Sequence, residues 1–253
     1  VKQKAEELGI PILQPPNLKA PAFLDELKSY HANLQVVVAF RMLPEVVWSM
    51  PDYGTFNLHA SLLPQYRGAA PIHWAIINGE KETGVTTFFL KHKIDTGNII
   101  FQEKEPIKEN DTVGDLYGRL MDKGAKLVLK TVQAIASEDY PQIPQNENQE
   151  INEAPKIFRE TCEVNWEQPT QKVYDFIRGL SPYPAAWTIL NGKNLKLFKV
   201  SKIKDQGEAG QYDTDNKTFL KFFTTEGAIA VHELQLQGKK RMTIDEFLRG
   251  NTL

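Results

Sequence analysis

The chain has 253 residues, of which 41% are hydrophobic and 25% charged, with 16 Gly, 15 Pro and a net charge of −2 at neutral pH. That is ordinary globular composition, enough for one large domain or two. No apolar run approaches the roughly 18 residues of a membrane span, and the charged opening Val1–Leu8 is no signal peptide. A single cysteine, Cys162, excludes an internal disulfide framework and a multi-cysteine zinc site. It fits a reducing, cytoplasmic setting.

In chain order, Val1–Leu8 reads as a helix stopped by Gly9, Ile10–Leu13 as a short strand, and Pro21–Tyr30 as a helix. Gln35–Phe40, with three successive valines, reads as a buried strand. A short helix around Glu45–Ser49 leads to a strand at Thr55–His59. The chain then breaks at Pro64, turns through Gly68 and re-enters a helix over Ala69–Asn78, with Pro71 in the first turn. Two strand-like runs, Val85–Leu90 and Asn98–Gln102, flank a turn. Thr112–Ala136 has the pattern of a long amphipathic helix capped by Asp111 or Thr112, closing a first domain over residues 1–136.

Residues 137–156 are polar and proline-marked, the composition of a linker. A second domain follows over 157–253. A helix capped by Thr170 runs to Arg178, and Ser181-Pro182-Tyr183-Pro184 bends the chain. Asn191-Gly192 marks a hairpin between Ala186–Leu190 and Leu195–Val200. Further strands near Phe219–Phe223 and Ala228–Leu236 and a last helix near Thr243–Leu248 predict a small, OB-like β-barrel. Charge divides unevenly: residues 1–156 carry 16 Lys and Arg against 20 Asp and Glu, and residues 157–253 carry 14 against 12. The basic second half, with Lys193, Lys196, Lys199, Lys202, Lys204, Lys239, Lys240 and Arg241, permits nucleic-acid contact. Solvated strand faces look the same.

The chemistry-bearing stretch is Thr55 to Gly97. With a side-chain period of two, Phe56 and Leu58 share one face of the strand and Asn57 and His59 the other. Polar residues at the carboxyl end of a strand that feeds a helix have the usual site geometry of open α/β sheets. Asp95 follows 36 residues after His59, in the turn Lys93-Ile94-Asp95-Thr96-Gly97-Asn98. An amide, an imidazole and a carboxylate together suit acyl or formyl transfer to an amine. The amide donates to the oxygen that gains charge, the imidazole stabilises that charge or moves a proton, and the carboxylate orients the imidazole. Singly, His59 reads equally as a structural histidine and Asp95 as a turn residue. His73 reads as packing or surface, and His92, between two lysines, as solvent-facing. Cys162 reads as structural.

Asn57-Leu58-His59-Ala60-Ser61-Leu62-Leu63-Pro64-Gln65-Tyr66-Arg67-Gly68-Ala69-Ala70-Pro71-Ile72, followed by Gly84-Val85-Thr86 and Ile94-Asp95-Thr96-Gly97, resembles the formyltransferases that use 10-formyltetrahydrofolate. The resemblance runs over nearly the whole chain. It implies a Rossmann-like α/β catalytic domain, catalytic Asn57, His59 and Asp95, and no metal. It also implies that Arg41, Met42 and Leu43 hold the pterin ring and that Ser61, Leu62, Leu63 and Pro64 form a loop touching the folate. Tyr66 and Arg67 continue that loop, Arg67 to meet an anionic group or pair with a carboxylate. Members of the family begin with a further strand–helix–strand and, in the tRNA branch, a basic loop that meets the acceptor stem. This chain opens on a helix and is read as lacking that unit.

Ala154-Pro155-Lys156-Ile157, Ile177-Arg178-Gly179-Leu180-Ser181-Pro182-Tyr183-Pro184-Ala185-Ala186-Trp187 and Gly238-Lys239-Lys240-Arg241-Met242 are similar to the linker and carboxyl-terminal domain of the branch that formylates methionyl-tRNA. The implied partners are initiator methionyl-tRNA and the folate, acting on a monomer. The family also contains amino-sugar-nucleotide formyltransferases and formyltetrahydrofolate hydrolases with the same catalytic domain, and these are the alternatives.

Overall fold

A computed structural model of the chain describes residues 1–39, 42–146 and 148–253. Two short surface helices, α1 (Lys2–Glu7) and α2 (Pro21–Ser29), open it, and neither buries a residue fully. Between them Ile10–Leu13, expected as a strand, is irregular. Pro11 has no N–H to offer a ladder, and Pro15 and Pro16 follow closely. The valine strand is β1 (Gln35–Val38), paired in parallel with β2 (Thr55–His59). It is an edge strand, so the expected burial fails: Val36 and Val38 are 41% and 54% exposed.

The short helix α3 (Glu45–Trp48) precedes β2, and a two-residue strand β3 (Arg67–Gly68) precedes α4 (Pro71–Ile77), which starts on its proline as expected. Two longer strands, β4 (Glu82–Phe89) and β5 (Ile99–Pro106), add antiparallel to give the order β1-β2-β4-β5. The long helix α5 (Val113–Ala136) covers one face. Its cap is reciprocal: the Thr112 hydroxyl accepts the Asp115 N–H, and the Asp115 carboxylate accepts the Thr112 N–H. The buried stripe of α5 meets the even-numbered residues of β2. A methyl on Gly124 would come within 2.7 Å of Leu58, and the Thr131 hydroxyl bonds that of Thr87, which pairs with Leu58 across the sheet. Asn57 and His59 therefore face away from α5.

Residues on both sides of position 147 are hydrogen-bonded into this unit. Ile143 and Ile99 exchange both backbone hydrogen bonds, the Asn152 carbonyl accepts the Tyr66 N–H, and β6 (Glu153–Ala154) pairs in parallel with β3. The remaining chain packs on α6 (Thr170–Leu180). Thr170, expected as its cap, is the first helical residue, and its hydroxyl bonds Thr224 instead. Six antiparallel strands follow: β7 (Ala186–Leu190), β8 (Lys193–Ile203), β9 (Tyr212–Thr214), β10 (Leu220–Phe223), β11 (Ala228–Leu236) and β12 (Met242–Thr243).

Their order is β7-β8-β11-β10-β9, with β12 beside β11, a curled half-barrel. The hairpin at Asn191-Gly192 forms as expected, with both residues at positive φ, 47° and 74°. Ile177, Leu180, Leu195, Phe222 and Phe247 are buried in its core. Cys162 joins them; its thiol donates to the Phe158 carbonyl, and burial pushes its pKa up. The last helix, α7 (Ile244–Arg249), is capped by Thr243 and Glu246.

The two sheets are joined where α4 meets α6. A methyl on Gly179 would lie 2.7 Å from Ile77, and the buried Arg178 pairs with Asp175 at 2.7 Å while donating to the Asp111 carbonyl at 2.9 Å. No helix among the described residues is long and apolar enough to cross a membrane.

Candidate active site

His59 closes β2 with its ring 6% exposed. Its Nε2 lies 2.8 Å from the Tyr66 carbonyl oxygen. A carbonyl only accepts, so Nε2 carries a proton, and Nδ1 is the nitrogen left to change state. Nδ1 faces Asp95 Oδ2 at 3.9 Å, with side chains 7% and 11% exposed. That is ion-pair range and longer than a hydrogen bond.

Both partners of the imidazole sit on unusual backbone. Tyr66 has φ 60° and Asp95 φ 54°, each costing on the order of 1–3 kcal/mol for a residue with a side chain. Tyr66 is held there from three sides. Its N–H donates to the Asn152 carbonyl, its phenol donates to Glu80 Oε1 at 2.6 Å, and Asn78 Nδ2 donates to the phenol oxygen at 3.2 Å. Burial, reinforced by the Glu80 carboxylate, drives the phenol pKa far above its usual range, so it stays a donor.

Asp95 Oδ2 accepts the Gly68 N–H at 3.0 Å, and the Gln145 side-chain amide donates to the carbonyls of Asp95 and Gly97 at 2.8 and 2.9 Å. Gly97 is required in this turn because a Cβ there would collide with the Phe89 carbonyl.

Asn57 shares the His59 face, and its Oδ1 is buried with no hydrogen-bond partner among the described residues. Leaving such an atom unpaired costs about 1–3 kcal/mol. A native fold tolerates that where the group is used for something else.

The Ser61–Pro64 loop is pinned beside His59 by Thr86, which is opposite His59 in register. The Thr86 hydroxyl donates to the Ser61 carbonyl at 2.6 Å and accepts the Leu63 N–H at 3.2 Å. Gln102, opposite Thr86 on β5, donates to the Leu63 carbonyl and to Thr86 Oγ1, both at 2.9 Å. Leu62 lies over Gly84, where a Cβ would clash with it.

Met42 and Leu43 line a different hollow of about 660 Å³ with Pro16, Leu18, Pro44 and Val46, whose lining includes neither Asn57 nor His59. Met42 is 76% exposed. Arg41 lies outside the described residues. Arg67 donates through Nε and Nη2 to Gln145 Oε1. His92 is exposed, 3.5 Å from Glu45 and edge-on to Trp48. His73 Nε2 donates to the Tyr183 carbonyl at 3.2 Å.

Sequence reasoning placed Tyr66 in the loop without its role on His59, and missed Thr86, Gln102 and Gln145 as site residues. Thr86 and Gln102 follow from the alternation of β4 and β5 once their register is known. The polar stretch around Gln145 carries no periodicity that points to it.

A family model described as formyl transferase matches residues 1–132, and one described as formyl transferase, C-terminal domain, matches residues 156–252. The chain belongs to the formyl transferase family. Within that family it is 54% identical to the methionyl-tRNA formyltransferase of Bacteroides thetaiotaomicron over 260 residues, 99% of this chain and 81% of that protein.

Solved formyl transferase-like structures share the fold. HypX from Aquifex aeolicus, crystallised with tetrahydrofolic acid, superposes with a TM-score of 0.69 at 23% identity, over 90% of this chain and 41% of HypX. An N-formyltransferase from Helicobacter canadensis, in complex with folinic acid and dTDP-3-aminofucose, gives 0.56 at 26% identity, over 70% of this chain and 65% of that one.

Proposed function

We propose that this chain transfers the formyl group of 10-formyltetrahydrofolate to the α-amine of methionine on initiator methionyl-tRNA, supplying formylmethionyl-tRNA for translation initiation. The observation that carries the chemistry is Asn57, whose buried Oδ1 has no partner among the described residues, on the same strand face as His59, which pairs with Asp95. The two ends of an amide are told apart only by their partners. The Asn57 NH2 group donates to the formyl oxygen as that oxygen becomes an oxyanion.

Protonated at Nδ1, the His59 ring adds a second donor and a positive charge, and Asp95 balances that charge. As the amine nitrogen bonds to the formyl carbon it gives up a proton to a water held by Asp95, because the doubly protonated His59 ring has no free nitrogen to take it. The bond from carbon to N10 then breaks, and N10 takes a proton. The Tyr66 carbonyl keeps the ring oriented throughout by holding Nε2–H. No metal is needed for this chemistry.

Ser61, Leu62, Leu63 and Pro64 carry the folate beside His59, and Arg41, Met42 and Leu43 supply the apolar walls and backbone groups that suit a flat pterin. In this reading residues 1–136 perform the reaction, 137–156 join the two parts, and the more basic 157–253 holds the tRNA. The protein acts as a cytoplasmic monomer.

A second reading rests on the similarity to an N-formyltransferase bound to dTDP-3-aminofucose, and makes the acceptor an amino-sugar nucleotide. Single-turnover assays decide between them. The protein, expressed from its whole reading frame, is mixed with 10-formyltetrahydrofolate and methionyl-tRNA, a dTDP-amino-sugar, or no acceptor. Formylmethionyl-tRNA formed at least about 100-fold faster than the other products, a gap of about 2.7 kcal/mol, is expected. Preferential formylation of the amino-sugar, or release of free formate, overturns the assignment.

A further inference from the structure

We infer that Gln145 is a positioning residue for formyl transfer, holding the Asp95 turn in place against His59 from the segment that crosses the site. The inference rests on the proposal that Asn57, His59 and Asp95 form the site.

Gln145 is half-buried, whereas Gln142, Ile143, Pro144 and Asn146 around it are exposed. Its side chain uses every bonding position an amide has. The two N–H groups go to the carbonyls of Asp95 and Gly97, and the oxygen accepts from Nε and Nη2 of Arg67, at 3.2 and 2.6 Å. No other side chain offers two donors at one end and a two-fold acceptor at the other with this reach. Glu would set an oxygen against two carbonyls, and Met would keep the shape with no donor.

The location gives these bonds their consequence. The Asp95 carboxylate is fixed from two directions: by its own backbone, strained at φ 54°, and by the Gly68 N–H on Oδ2. Gln145 ties both together. It bonds the backbone at Asp95 directly and reaches the neighbour of Gly68, Arg67, on the other side. The segment that carries it is anchored on either side by the Ile143–Ile99 backbone pair and by the pairing of β6 with β3. Losing the amide frees the turn to relax toward ordinary backbone, which moves the carboxylate relative to His59. Misplacement of a catalytic group by about 1 Å costs up to about 100-fold in rate.

The test compares Gln145→Met, Gln145→Ala and Asp95→Ala, alone and with Gln145→Met combined with Asp95→Ala, in the full-length protein with methionyl-tRNA and 10-formyltetrahydrofolate. Gln145→Met is expected to lower kcat about 10- to 100-fold, as much as Gln145→Ala does. Both KM values should stay within about twofold and the thermal midpoint should stay near that of the parent. In the Asp95→Ala background, Gln145→Met should lower the rate by less than about twofold, because two residues acting through one group are not additive.

Normal kcat in Gln145→Met with loss in Gln145→Ala would mean that the side chain only fills space, and would overturn the inference. Equal factors in both backgrounds would overturn it too, placing the action of Gln145 elsewhere. Near-normal turnover of Asp95→Ala itself would instead remove the site on which the inference stands, and is read separately from the Gln145 result.

Discussion

His59 faces Asp95, from a second segment, at 3.9 Å, and shares its strand face with Asn57. The imidazole donates to a carbonyl on strained backbone, the carboxylate hangs from a turn that needs Gly97, and the Asn57 Oδ1 is buried without a partner among the described residues. The arrangement gives up several kcal/mol of local stability, the signature of a site shaped for a ligand.

Not every histidine is of that kind. His73 donates to the Tyr183 carbonyl as a neutral ring, and burial lowers its pKa below 6.5, with that carbonyl partly opposing the shift. The folded state thus binds fewer protons than the unfolded one between the depressed value and 6.5. Stability from this site is complete above about pH 6.5 and is lost as pH falls through the window. The thermal midpoint is expected to drop from about pH 7 to about pH 5, and His73→Gln, which keeps a donor for Tyr183, should make that drop smaller. His232, lowered by burial and by Lys199, retains part of it.

At the scale of elements, the pairing of alternation with register decides what the site contains. Asn57 and His59 were legible together because a period of two puts them on one face, opposite the Phe56 and Leu58 face covered by α5. Thr86 and Gln102 lie on that same face, but only the register His59↔Thr86↔Gln102 reveals it, and register is a long-range fact. Ile10–Leu13 fails as a strand because of its prolines, and the valines of β1 fail as core because that strand lies at the sheet edge. Local pattern measures β-preference and cannot tell which strand will have a neighbour.

Caps, by contrast, are local. Thr112 and Asp115 form the reciprocal cap that starts α5, so Thr112→Ala should cost about 1 kcal/mol. Urea denaturation reads this as a lower midpoint with an unchanged slope. Thr170 misled because a tertiary partner, Thr224, claims its hydroxyl.

Across the whole molecule, the joint between the two sheets is made by α4 and α6 and sealed by a buried ion pair. Arg178 and Asp175 are both about 95% buried, and Arg178 also reaches the Asp111 carbonyl, across the joint. Removing one partner strands the other charge, so Asp175→Ala should destabilise by about 3–5 kcal/mol, measured by the same denaturation. Replacing both residues with apolar ones of similar volume should cost less.

The fold class and the half-barrel were readable from alternating elements and the Asn191-Gly192 turn. The docking of 143–146 and 152–154 beside the site was not, because a polar segment held by backbone pairing and by the side chains of Gln65 and Gln145 looks like a tether in sequence. The same blindness hid Gln145.

The central claim is that Asn57, on the face it shares with His59, stabilises the oxyanion of formyl transfer. The most direct measurement is the single-turnover rate of Asn57→Ala in the full-length protein, with saturating methionyl-tRNA and 10-formyltetrahydrofolate. Loss of a donor aimed at the transition state predicts a rate lower by about 10² or more, with substrate binding and the unfolding midpoint close to those of the parent. A well-folded Asn57→Ala protein that turns over within a few-fold of the parent would contradict the account.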